Sequence, residues 1–175
     1  MKLILVRHGQ TDWNKKGIMQ GKTDVPLNET GKNQALEVKN ILKNRKIDIC
    51  FSSPLKRAIM TAKIITDIDI LIDERLVERY MGFLEGKPRN LYKAENYYDL
   101  KLNSSKYEVE SIKDLLSRAN EFICNIKEKY SDKTILVVSH GATIRALHYI
   151  ITGYDEKTNF LEKKIPNCSI LEYNI

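Results

Sequence analysis

No stretch of this chain stays apolar for the roughly 18 residues that a membrane span requires, so a bilayer location is not expected. Residues Met1–Val6 carry one positive charge and a short apolar run. They lead into Arg7-His8 without a small-residue cleavage site, which reads as a strand and not as a signal peptide. Cysteine is scarce. Cys50, Cys124 and Cys168 are an odd set without metal-ligand spacing, which argues against a disulfide framework and a metal site and favours free thiols in a reducing cytosol. Basic runs are also missing. The net charge of +6 comes from lysines spread singly along the chain, so no nucleic-acid partner is expected. No internal repeat or low-complexity segment breaks the 175 residues, which suit a single domain, 1–175.

Histidine is rare as well, with three in the chain, but two of them stand in nearly the same phrase. Leu3-Ile4-Leu5-Val6-Arg7-His8-Gly9 near the start is echoed by Ile135-Leu136-Val137-Val138-Ser139-His140-Gly141 near the end. Each is a short apolar run with the character of a buried strand, ending where glycine permits a sharp turn. In open α/β sheets, ligands collect beyond the carboxyl ends of the strands. Two such strands lying parallel and adjacent would set His8 and His140 across one pocket. The third, His148, falls inside a helix and is given no role.

Periodicity orders the rest. Leu3–Arg7 reads as a strand, and Gly9 to Glu29 as a polar loop. Gly31 to Arg45 reads as a helix capped by Asn28 or Thr30. A strand at Ile49–Ser52 comes next. Ser53-Pro54 is a helix start, serine as cap and proline in the first turn, before the stripe Leu55, Ala58, Ile59, Ala62, Ile65. Arg57 lies off that stripe and is expected to face the strand-end crevice. Ile68–Ile72 reads as a short strand, and Leu76–Gly86 as an irregular loop. Ser111 and Asp114 form a capping box before a strongly amphipathic helix. Thr134–Val138 is a strand, Ala142–Thr152 a helix stopped by Gly153, and Cys168–Tyr173 a last strand on the sheet edge. Strands alternating with helices predict a largely parallel sheet covered on both faces. From Lys87 to Glu110 the pattern weakens. That stretch, with Tyr92, Tyr97, Tyr98 and Tyr107, reads as a cap or lid that selects the leaving group, or as a small helical cap packed on the sheet.

The polar residues at strand ends and helix starts suggest a chemistry. Arg7 and Arg57 offer planar forks for phosphoryl oxygens. A neutral imidazole between two guanidiniums is a nucleophile, because nearby positive charge disfavours imidazolium. His140 would donate to the same oxygens as charge builds on them. A leaving alkoxide needs a proton, and Glu78, Glu85 and Glu110 are the acids at hand. With two arginines and a histidine carrying the charge, no metal or other cofactor is needed. Taken singly, each residue has an ordinary structural explanation. Their convergence is what points to a site.

Arg7-His8-Gly9-Gln10-Thr11 with Asn14 resembles the opening motif of the histidine phosphatase superfamily, which includes the cofactor-dependent phosphoglycerate mutases. Gln20-Gly21 with Asp24, Pro26-Leu27, Gly31 and Gln34-Ala35 is similar to that family's first loop and helix. Ser52–Ala58 with Thr61-Ala62 resembles its second arginine motif, and Leu76-Val77-Glu78 with Gly82 and Glu85-Gly86 its acid loop. Glu110-Ser111 with Arg118, and Ser139-His140-Gly141 with Ile144-Arg145, resemble its closing motifs. The resemblance implies a three-layer α/β/α sandwich with a mixed, mostly parallel central sheet. It implies that His8 attacks phosphorus, that Arg7, Arg57 and His140 bind the phosphoryl group, that Asn14 helps hold it, and that Glu78 is the proton donor. Gln20 and Gly21 join the substrate-binding set on the same ground.

Within that family the chain departs from the mutases. Ala142-Thr143 stands where mutases carry Asn-Ser, Met81 where they carry tyrosine, and Glu85 where they carry glutamine. Residues 87–110 lack an obvious arginine pair. A small cap with few cations would retain a bisphosphate and exclude water poorly. Hydrolysis of a small phosphorylated metabolite is therefore expected, with bisphosphoglycerate-dependent mutase activity as the alternative and non-catalytic phosphate sensing as a third reading.

Overall fold

Alternate residues of the strand Lys2–Arg7 (β1) feed two different cores, because side chains on a strand point to opposite faces. Leu3 and Leu5 join Ile135 and Val137 of Thr134–Ser139 (β4) under the helices Ile112–Lys129 (α4) and Gly141–Thr152 (α5). Ile4 and Val6 join Leu136 and Val138 against Glu29–Leu42 (α2) and Lys56–Ile65 (α3). A sheet buried on both faces between two helix pairs is the three-layer sandwich expected. The structure, a computed structural model, describes residues 1–91, 93, 94, 98 and 108–175.

The sheet has five strands in the order β3-β2-β4-β1-β5, with β2 at Ile49–Ser52, β3 at Ile70–Ile72 and β5 at Ile170–Asn174. The β3-β2, β2-β4 and β4-β1 pairs are parallel, and β5 runs antiparallel to β1 at the edge. β1 and β4 are neighbours, as the His-Gly echo required, in a register that pairs Arg7 with Ser139. Chain ends meet at the same edge: the Ile175 amide donates to the Met1 carbonyl at 3.0 Å. Among the described residues no helix is long and apolar enough to cross a membrane.

Several boundaries differ from the sequence reading for local reasons. The loop after β1 contains a short helix, Asp12–Lys15 (α1), because Thr11 and Asn14 form a reciprocal capping box. α2 starts at Glu29, and of its two possible caps Asn28 is the one used, accepting from the Gly31 amide at 2.9 Å. α3 starts at Lys56 with Leu55 in the cap position and no side-chain cap. Ser53 is therefore not the helix cap. Pro54 lies outside the helix, and Ile59 is only half-buried. β3 begins at Ile70, not Ile68. β5 begins at Ile170 because Cys168 adopts φ 55°, which a strand cannot continue through. Ser111 accepts from the Asp114 amide as expected, and Gly153, at φ 90°, ends α5. Of the four tyrosines read as a cap, Tyr92, Tyr97 and Tyr107 lie outside the described residues.

Candidate active site

The β1–β4 register brings His8 and His140 off the sheet side by side. Their ring centroids are 5.1 Å apart, and the His8 amide donates to the Ser139 carbonyl at 2.9 Å. His8 Nδ1 lies 2.7 Å from the Gly9 carbonyl oxygen. A carbonyl only accepts, so Nδ1 carries the proton and Nε2 keeps its lone pair. His8 is buried, and burial first, then the charges of Arg7 and Arg57, hold its pKa well below the ordinary value. His140 is held down likewise, by burial and then by Arg57. Both rings are neutral at ordinary pH.

His140 is more constrained than the sequence suggested. Arg57 Nε donates to its Nδ1 at 3.2 Å, so the proton sits on Nε2, which lies 2.7 Å from Ser53 Oγ. Its N–H is thus committed to Ser53 and not left for a phosphoryl oxygen. The serine that reads as a helix cap instead fixes the tautomer of a site histidine. Arg57 is fully buried and does not face the crevice. Its terminal nitrogens donate to the carbonyls of Gly21 at 2.7 Å and Thr23 at 2.8 Å. It supports the turn that follows Gln20 from below.

Glu85 supports that same turn from outside. Its carboxylate accepts from the amides of Lys22, Thr23 and Met81 and from Thr23 Oγ1. Gly21 adopts φ 52°, and a Cβ there would run into the Glu85 carboxylate, so glycine is required twice over. Gln20, nearly fully buried, accepts from Thr11 Oγ1 at 2.8 Å.

Arg7 donates to the Ile165 carbonyl at 2.5 Å, while its buried Nε has no acceptor among the described residues. Burial lowers its pKa to about 10, which leaves it charged at neutral pH. Asn14 is oriented by its neighbours. Its Oδ1 accepts from the Thr11 amide and from Asn167 Nδ2, both at 3.2 Å, so its buried Nδ2 is the free donor. Asn167 Nδ2 also lies 3.0 Å from the His8 carbonyl oxygen and 3.2 Å from that of Gly9. The sequence offered no signal for Asn167, which lies far along the chain in an aperiodic stretch.

Of the three acids, one is available. Glu110 forms a two-point ion pair with Arg118, at 2.6 and 3.1 Å, and also accepts from the Tyr80 amide. Glu85 is committed as described. Glu78 accepts from its neighbour's amide, Arg79 N, at 2.9 Å and lines a cavity of about 370 Å³ together with Arg7, His8, Gln20 and Gly21. That volume suits a small ligand. Arg57 and His140 do not line the cavity; both are fully buried behind it. Asn14 is outside the lining too, half-buried, with its unpaired Nδ2 as the group it can offer a ligand. Arg79, Arg89 and Arg145 line it as well, and none of them was singled out as a site residue from sequence. Among the described residues, no group of three or more His, Cys, Asp or Glu converges in a way that could hold a metal ion. The Cys50 thiol, pushed up to about 12 by burial, is no nucleophile at neutral pH.

Residues 3–175 match the histidine phosphatase superfamily, branch 1. An uncharacterized phosphatase PhoE of Bacillus subtilis is 39% identical over 179 residues, covering 97% of this chain and 89% of that one. A 2,3-bisphosphoglycerate-dependent phosphoglycerate mutase of Lachnoclostridium phytofermentans is 31% identical over 191 residues, covering 84% and 76%. The crystal structure of a phosphoserine phosphatase from Entamoeba histolytica in complex with 3-phosphoglyceric acid superposes with a TM-score of 0.86 at 31% identity, covering 98% and 89%. The strand-end histidine pair, its arginines and this match along almost the whole chain make it a member of the histidine phosphatase superfamily.

Proposed function

We propose that this protein is a phosphomonoesterase that hydrolyses small phosphate esters through a phosphohistidine on His8, without a metal or other cofactor. One observation carries the reading. His8, whose Nε2 is left unprotonated, lines the same cavity as Arg7 and Glu78. Nε2 attacks phosphorus, the P–O bond to the alcohol breaks, and Glu78 gives its proton to the leaving oxygen. Glu78, now a carboxylate, takes a proton from water as that water attacks phosphorus. The P–N bond breaks and phosphate leaves. Arg7 and the Asn14 amide hold the phosphoryl oxygens. Arg57 and His140 act from behind: Arg57 adds to the burial and the Arg7 charge that keep His8 neutral, and Ser53 and Arg57 fix the His140 ring against it.

The mutase reading is weaker because Met81 and Ala142 line the cavity, and neither can hydrogen-bond through its side chain to a retained bisphosphate. We read the chain as a single domain with a cap in the segment 87–110, of which residues 87–91, 93, 94, 98 and 108–110 are described. Arg89, Ala94 and Tyr98 reach the cavity wall, and the Met19 amide donates to the Lys87 carbonyl at 2.9 Å, which ties the cap base to the first loop. Three unpaired cysteines fit a cytoplasmic enzyme acting on a small phosphorylated metabolite.

The test is p-nitrophenyl phosphate turnover with and without EDTA. Activity persists in chelator, and His8→Ala costs about a thousandfold or more, as removal of a nucleophile from a cooperating set does. Activity that vanishes with EDTA, or survives the substitution, rejects the reading. Tight binding of phosphate esters with no turnover by the native protein would instead favour phosphate sensing. Conversion of 3- to 2-phosphoglycerate would restore the mutase.

A further inference from the structure

Arg57 carries its charge where water does not reach it. It is fully buried, and burial lowers its pKa from the ordinary value, while the carboxylates of Glu78, Asp24 and Glu85 act to raise it. A buried charge is costly unless it is paired. Its three nitrogens nevertheless donate to neutral acceptors, the His140 ring and the carbonyls of Gly21 and Thr23. Of the three acids, Glu78 holds a proton in the first step of the reaction and is then neutral. Asp24 is exposed, accepts from the Lys56 amide at 2.7 Å and pairs with the Lys56 ammonium at 3.7 Å.

Glu85 remains. The amides of Lys22 and Met81 donate to its Oε1 at 2.9 and 3.1 Å, and the amide and hydroxyl of Thr23 donate to its Oε2 at 3.0 and 2.6 Å. Both oxygens are filled as acceptors, which suits the ionised form. The Gly21–Lys22 peptide joins this anion to the buried cation. Its carbonyl accepts from Arg57 at 2.7 Å, and its N–H is the one that donates to Oε1. The C=O and N–H of a trans peptide point to opposite sides, so one planar unit spans the two charges. Thr23 repeats the pattern, with its carbonyl on Arg57 at 2.8 Å and its amide on Glu85. Hydrogen bonds in such a chain strengthen one another.

We propose that Glu85 is a positioning residue for phosphoryl transfer: through the turn at Gly21–Thr23 it answers the charge of Arg57 and fixes that guanidinium behind His8 and His140. Glu85 is not part of the cavity lining, so it acts without touching the ligand. The inference rests on the phosphatase reading of the site, and it gives a task to an acid whose oxygens are closed to proton donation.

Glu85→Gln is the test, because an amide offers one acceptor oxygen where four donors need two. The expected result is a fall in kcat of about ten- to a hundredfold with KM held within about threefold, as when positioning is lost and binding is kept. The loss should be equal for p-nitrophenyl phosphate and glycerol 1-phosphate, because Arg57 serves the phosphoryl group and not the leaving oxygen. In an Arg57→Lys background the same substitution should cost clearly less than in the native protein. Should Glu85→Gln fail to fold, Thr23→Val, which deletes the shortest of the four contacts, goes through the same comparisons. A lower urea midpoint with kcat unchanged would make Glu85 a purely structural residue and overturn the proposal. A loss confined to glycerol 1-phosphate also overturns it, because the effect would then run through the acid loop to Glu78. So does full multiplicativity with Arg57→Lys. If the native protein turns over neither ester, the phosphatase reading fails, and nitrogen NMR of the imidazoles decides the inference. His140 should hold its proton on Nε2 in the native protein and become a mixture of tautomers in Glu85→Gln. An unchanged His140 spectrum overturns the proposal.

Discussion

Asn167 shows how one amide can set the chemistry of another. Its single NH2 group faces the carbonyls of His8 and Gly9 and the Oδ1 of Asn14. An isolated Asn14 amide could turn either its oxygen or its nitrogen toward an anion, and only the nitrogen is useful. With Asn167 holding the oxygen, the donor end is committed before any ligand arrives. Asn167→Ala should lower kcat/KM by about ten- to a hundredfold, the range expected when a positioning contact is lost. Because the effect runs partly through Asn14, combining it with Asn14→Ala should cost clearly less than the product of the two single losses. Fully multiplicative losses in steady-state kinetics would show that Asn167 acts independently of Asn14.

At the scale of elements, the turn after β1 and the first turn of α2 touch backbone to backbone. A Cβ at Gly31 would run into the Gln10 carbonyl, and one at Gly9 into that of Gly31. Helix propensity alone would make Gly31→Ala favourable by about 1 kcal/mol. Overpacking against fixed backbone costs about 1–3 kcal/mol and should win, giving net destabilisation visible as a lower urea midpoint. A higher midpoint would mean that α2 can move away from the turn. Such close approaches explain what was legible in the sequence and what was not. The neighbouring of β1 and β4 could be read because two apolar runs each end in His-Gly, and the five strands and the α2, α4 and α5 helices because their periods are clear. Ser53 reads as a helix cap because its local signal, serine before proline, is real, while His140 lies 87 residues away and takes the hydroxyl. Helical spacing points Arg57 at the crevice, and it cannot reveal that the Gly21 and Thr23 carbonyls fold over it. Glu85 and Glu110 stayed open as acids until their partners, one loop and one arginine, were in view.

For the whole molecule, the two neutral imidazoles are a stability term that depends on pH. His8 and His140 have folded pKa values well below the ordinary 6.5. Between 6.5 and those lower values the unfolded chain binds a proton at each site that the folded chain does not. Stability therefore rises with pH across this window, is fully present above about pH 7, and is lost as pH falls. Two such groups give a slope of up to about 2.7 kcal/mol per pH unit. Urea denaturation in phosphate-free buffer at about pH 7 and about pH 5.5 should show a marked fall, and His8→Gln should halve its slope. A flat profile would mean that the folded protein accepts those protons. Catalysis should be less sensitive over the same range, because His8 stays unprotonated while the fold survives.

The sheet order carries a temporal consequence. β1 leads into His8 and is the first of the five strands made, but the strands that flank it, β4 and β5, are the last two. Asn167 and the Ile165 carbonyl that hold the loop and Arg7 come later than β4. Until that final segment emerges, a nascent chain has a histidine with no partner across from it and an apolar strand with nothing to pair with. The His8–His140 pair therefore cannot form before that segment is made, and such long-range pairing is slow to form. Over that interval Leu3–Val6 is an exposed sticky strand, and it is there that a chaperone would be expected to bind.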